Sequence, residues 1–133
     1  MMNQEGVSAY QHSMNHAQAA TASPHRLIQM LLEGLLDNLT RAQGYMTRGQ
    51  IAEKGLTISK CLDILNGLSV VLDEEKGGEV TQELARLYDY CGHRLFESNV
   101  NNDVTGLEEV HRLMGEVLEG WKVLKPEKVE VAK

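Results

Sequence analysis

The chain has 133 residues, of which 42% are hydrophobic, 24% charged and 5% aromatic, and its 13 basic and 19 acidic side chains leave a formal net charge of −6. A chain of this size forms one domain that buries roughly 65–70% of its unfolded surface, so it needs neither disulfide nor metal to fold, and it is too apolar for wholesale disorder. The acidic balance argues against a nucleic-acid or anionic-membrane surface, and no apolar stretch nears the ~20 residues that span a bilayer, so direct membrane insertion is not expected.

The first residues, Met1-Met2-Asn3-Gln4-Glu5-Gly6, lack the basic-then-apolar profile of a leader, which makes the cytosol the expected compartment. There Cys61 and Cys91 stay reduced, and each falls in a helical apolar pattern that suits a small core residue. Residues 1–22 are polar and small and read as a mobile N-terminal arm with at most one short helix, around Tyr10 to Gln18. A body follows over 23–125, and the tail, 126–133, alternates lysine, glutamate and valine and is expected to fray. The only two prolines, Pro24 and Pro126, bracket the body, so no breaker stronger than glycine interrupts it.

Ser23 is a natural N-cap and Pro24 a favoured first helical residue. Apolar residues at 27, 28, 31, 32, 35, 36, 39, 42 and 46 then trace a helical stripe to about Arg48, with Gly49 suited to a left-handed cap. The spacing predicts a second helix from Ile51 to Glu74 through Ile58, Cys61, Leu62, Leu65, Leu68 and Leu72, broken by Gly77-Gly78. A third is predicted from Glu79 to Ser98 through Val80, Leu84, Leu87, Tyr88, Cys91 and Leu95. Asn99 to Asn102 reads as a loop. Asp103 is an N-cap for a fourth helix, Val104 to Leu124, through Leu107, Val110, Met114, Val117, Leu118 and Trp121. Short loops force antiparallel neighbours, so the expected fold is all-α, an up-down-up-down four-helix bundle.

Apolar residues exceed what this bundle must bury. On helical wheels Met30, Leu56, Val70, Val71 and Val123 fall off the core stripes, Ile64 sits at an edge, and Tyr90 and Phe96 flank opposite sides of the third stripe. Such leftover surface serves a partner, a homodimer contact or cover by the arm.

Little suggests catalysis. Glu108 and His111 form half of the E-x-x-H set that holds a di-metal centre in helical bundles, and inward glutamates to complete it are lacking. His12 and His16 are spaced for a metal but have no third ligand in view. His111-Arg112-Leu113-Met114-Gly115 approaches the histidine phosphotransfer pattern, with Met114 where a lysine would stabilise phosphate. His93 is better exposed on the wheel but lacks that context. Nucleophile motifs, phosphate loops and basic stripes are missing, so no cofactor, metal or nucleic-acid partner is expected, and the chain reads as a binding protein, not an enzyme.

An ordered set of residues over Ala9 to Trp121 resembles the flagellar secretion chaperone (FliS) family. It comprises Ala9-Tyr10-Gln11, Thr21-Ala22-Ser23-Pro24-His25-Arg26-Leu27-Ile28, Met30-Leu31-Leu32-Glu33-Gly34, Ile58-Ser59-Lys60-Cys61, Leu68, Leu72-Asp73, Gly77-Gly78-Glu79, Leu84, Leu87-Tyr88-Asp89-Tyr90, Asn99, Glu109-Val110 and Trp121. Leu32 departs from a tyrosine, and His25 from a lysine or glutamine. The resemblance implies a cytosolic type III export chaperone that holds the disordered C-terminal segment of flagellin, prevents its premature polymerisation and keeps it export-competent. It also implies contacts with the export-gate membrane protein and other flagellar regulators. The alternatives are a phosphotransfer bundle using His111 and a helical adaptor for another client.

A segment that folds on binding must bury a long apolar strip to offset its ordering entropy. The expected strip is a groove on the second helix formed by Leu56, Ile64, Leu68 and Val71, with Tyr90 or Phe96 at an edge and Tyr10 of the arm as a further contact. For Ile64 and Leu68 an ordinary core position is the alternative.

Overall fold

The computed structural model describes residues 23–72 and 74–124, with backbone alone for 74–77. The arm, including Tyr10, His12 and His16, and the tail lie outside the described residues. Among the described residues four helices follow in order, α1 (Pro24–Thr47), α2 (Ile51–Val71), α3 (Glu74–Asn101) and α4 (Val104–Val123). α1 packs on α2 and α4, and α3 packs on the same two, the square arrangement of an up-down-up-down bundle.

The helix ends follow from side-chain and backbone chemistry. Ser23 Oγ accepts from Arg26 N at 3.1 Å, with Pro24 opening α1. At the other end Gly49 is left-handed (φ 72°), and Gln50 N bonds Tyr45 O at 2.9 Å while Gly49 N bonds Met46 O at 3.2 Å. This pair satisfies two carbonyls that the last turn would orphan. Asp103 caps α4, accepting from Thr105 N at 3.0 Å.

Three boundaries differ from the sequence expectation. α2 stops at Val71 because Leu72 turns extended (φ −84°, ψ 137°). The helical run of α3 starts earlier, at Glu74, but is interrupted at Gly78 (φ 67°, ψ −143°), a conformation open to glycine, so its regular part begins where expected. α3 also runs through the expected loop to Asn101 and ends only at left-handed Asn102 (φ 53°), where Asp103 N returns to Ser98 O at 3.0 Å. Lys54 supports that extra turn, its Nζ donating to Asn99 O at 3.0 Å and Asn102 Oδ1 at 3.1 Å.

The core joins Ile28, Leu32, Leu35 and Leu39 of α1 to Ile58, Cys61, Leu65 and Leu68 of α2, Tyr88, Cys91 and Leu95 of α3, and Leu107, Val110, Met114, Leu118 and Trp121 of α4. Cys61 and Cys91 are the expected buried fillers, and burial pushes both thiols up to about 12, which leaves them unreactive. One end of the bundle is locked reciprocally. Trp121 Nε1 donates to His25 O at 2.9 Å, His25 Nε2 donates to Trp121 O at 2.9 Å, and the rings stack at 4.8 Å.

Candidate partner-binding surface

The residues expected to form one groove on α2 differ in burial. Leu68 is fully buried and belongs to the core; it leans on the interior with Cys61, two turns away, and offers a partner no surface here. Ile64 is half-buried on the flank toward α1. A Cβ on Gly34 would lie 4.0 Å from Ile64 Cδ1, so α1 meets this flank through a glycine. Val71, seven residues on, shares that flank and is likewise half-buried against the core. Leu56 stands exposed on α2.

The outer seam between α2 and α3 opens into a groove of about 620 Å³. Leu62, Leu65, Asn66 and Ser69 form one wall, and Ala85, Tyr88, Asp89, Gly92, His93 and Phe96 the other. Phe96 lies against it although it is 62% exposed, a large apolar ring that the bundle leaves uncovered. Gly92 widens the wall, since a Cβ there would meet nothing within 4 Å. The rim is polar, with exposed His93 Nδ1 at 3.7 Å from Asp89 Oδ2.

Tyr90 projects to the opposite side of α3. Its hydroxyl donates to Glu109 Oε2 of α4 at 2.7 Å, and Arg94 Nε donates to Glu109 Oε1, also at 2.7 Å. These two bonds, Tyr90 first, hold the Glu109 carboxyl below its ordinary range, and the same bond raises the Tyr90 phenol. Tyr90 and Phe96 thus flank opposite sides of the core stripe, as the wheel expects, and share no groove. Below Tyr90, Val80, Leu84 and Leu87 line a second hollow of about 570 Å³, flanked by Glu83 and Arg86.

Sequence reasoning missed three exposed apolar residues. Ile51 opens α2 at 56% exposure, and Val80, placed on the core stripe, is 50% exposed in the first regular turn after Gly78. Val100 is 66% exposed one turn beyond Phe96; assigning 99–102 to a loop kept it off the wheel. Met30, expected outside the apolar arc, is half-buried, whereas Val70 and Val123 are exposed as expected.

Glu108 is exposed and His111 half-buried on α4, while Met114 lies in the core. Among the described residues no three His, Cys, Asp or Glu side chains are grouped to hold a metal ion, and no helix is long and apolar enough to cross a membrane.

Relatives of known name share this sequence over most of its length. The chain is 46% identical over 121 residues to flagellar secretion chaperone FliSB of Pseudomonas aeruginosa, covering 91% of this chain and 96% of that protein. It is 39% identical over 127 residues to flagellar secretion chaperone FliS of Salmonella typhimurium, covering 95% of this chain and 94% of that one. With the FliS protein of Escherichia coli it shares 40% identity over 119 residues, covering 89% of this chain and 88% of its relative. A family model described as flagellar protein FliS matches residues 6–128, and with that match and these relatives the chain belongs to the FliS family of flagellar proteins.

Proposed function

We propose that the protein is a cytosolic flagellar export chaperone that holds the C-terminal segment of flagellin, keeping it from polymerising and competent for export. Family membership supports the flagellar chaperone role. The observation that favours segment binding is an apolar outer surface over an already complete core. Phe96, Leu56 and Val100 are exposed, yet the core residues of the same helices, Leu65, Leu68 and Leu95, are already buried. A disordered segment covers such surface by folding onto it, and each large side chain it removes from water contributes about 1.5–3 kcal/mol toward the ordering cost.

The contacts proposed are Ile64 and Val71 on the α1–α2 flank, Leu56 on α2, Phe96 in the α2–α3 groove and Tyr90 on the α3–α4 side. Surfaces on several faces suit a segment that wraps the bundle better than one short helix in one groove. Tyr10, outside the described residues, and the partners beyond flagellin, an export-gate membrane protein and flagellar regulators, enter through the family resemblance.

Co-expression with flagellin followed by size exclusion tests the reading. The expected result is a 1:1 complex that disappears when the flagellin C-terminus is deleted and weakens with Val71→Glu or Tyr10→Ala. A complex that survives the deletion would move the site to another part of the client.

A further inference from the structure

Tyr88 lines the α2–α3 groove and is 2% exposed. Its hydroxyl is the one fully buried side-chain polar atom among the described residues that has no hydrogen-bond partner. The rest of the buried polar set is satisfied. Thr57 Oγ1 donates to Glu53 O at 2.7 Å, Ser98 Oγ to Arg94 O at 2.8 Å, and Lys54 and the Trp121 indole have the partners given above. A fold that pairs those groups and leaves one hydroxyl unpaired carries a cost in its free state, because a buried hydroxyl keeps its desolvation penalty until an acceptor reaches it.

The place where an acceptor would arrive is already open. The groove of about 620 Å³ runs alongside Tyr88, and Gly92, one helical turn on, leaves its wall clear. Burial, with the Cys91 sulfur as a second cause, pushes the phenol well above its ordinary range, so the group is a neutral donor. The groove lining beside Tyr88 is formed by apolar Leu62, Leu65 and Phe96 with polar Asn66, Ser69, Asp89 and His93 around it, so a donor from Tyr88 adds a fixed point to the register of what lies there.

We propose that Tyr88 is the polar anchor of the α2–α3 groove: as the client segment seats over Phe96 and Gly92, the Tyr88 ring turns toward the groove and its hydroxyl donates to a carbonyl oxygen of that segment. This rests on the flagellin-binding reading and adds the chemistry the seat requires, an apolar strip carrying a free carbonyl.

Calorimetric titration of the full chain with a flagellin C-terminal peptide tests it, using Tyr88→Phe and Gly92→Leu. Tyr88→Phe deletes only the hydroxyl. Its expected signature is a melting temperature equal to or above wild type, since an unpaired group is removed, together with affinity weaker by about three- to tenfold, the range of one net hydrogen bond. Gly92→Leu fills the groove and is expected to weaken binding more than tenfold while the helical circular dichroism is kept. Unchanged affinity in either variant overturns the anchor. A lowered melting temperature in Tyr88→Phe overturns it too, because the hydroxyl would then be satisfied inside the free bundle. If wild type binds no peptide, the flagellin reading itself fails; if wild type binds and either variant matches it, the anchor alone fails.

Discussion

Lys54 lies 5% exposed at the start of α2, a cation inside an apolar stripe. Its two acceptors, Asn99 O in the last turn of α3 and Asn102 Oδ1 just beyond it, lie at a helix end where carbonyls lack intrahelical partners and positive charge is favoured. Lys54→Met keeps the stem and removes the donor. The expected cost is about 1–3 kcal/mol, read from the urea midpoint, with amide exchange rising first over Ser98 to Asp103. Gly106 has the opposite role, acting through what it lacks. A Cβ there would overlap Ser98 Oγ, so α3 and α4 meet through this glycine. Gly106→Ala is expected to destabilise by about 1–3 kcal/mol as the helices separate. Ser98→Gly/Gly106→Ala, which removes the colliding oxygen, should recover part of the loss in the same denaturant titration.

At the scale of the helices, α3 and α4 are clasped by Tyr90, Arg94 and Glu109. The depressed Glu109 pKa means that the folded state favours its carboxylate, so the clasp contributes stability above its ordinary value of 4.5 and loses it as the pH falls through the lower folded value. The melting-temperature gap between wild type and Glu109→Gln should therefore be present at neutral pH and close in acid. A gap that stays constant with pH would remove the carboxylate from the account. Much of this element layer was legible in the sequence. Ser23-Pro24, Gly49 and Asp103 marked three helix ends because each residue type does something specific to an orphaned backbone group. The end of α3 was not legible, since its capping lysine comes from α2, far away in sequence. The candidate surface was only half legible. A wheel orients a side chain against its own helix's core and says nothing of which neighbour covers each flank. Ile64 sat at the edge of one core stripe and Phe96 flanked another, and only the packing of the helices shows one facing α1 and the other opening the α2–α3 groove. Leu68 was offered as groove with a core position as the alternative, and its full burial matches the alternative.

Among the described residues as a whole, the square arrangement of four helices buries one stripe from each and leaves apolar side chains partly or fully exposed along the outer seams. Apolar side chains occur on three of them, at Ile64 and Val71, at Phe96, and at Val80 with Leu84 and Leu87. A rigid partner meets one face of such a bundle; a flexible chain reaches several. The most direct test is the heat capacity of binding, taken from calorimetric titrations of the flagellin C-terminal segment at several temperatures. Wrapping with coupled folding predicts a large negative value, of the size expected for burying on the order of 1,000–3,000 Å². Tight binding with a heat capacity change near zero would contradict it, because the exposed seams would then still be in water in the complex.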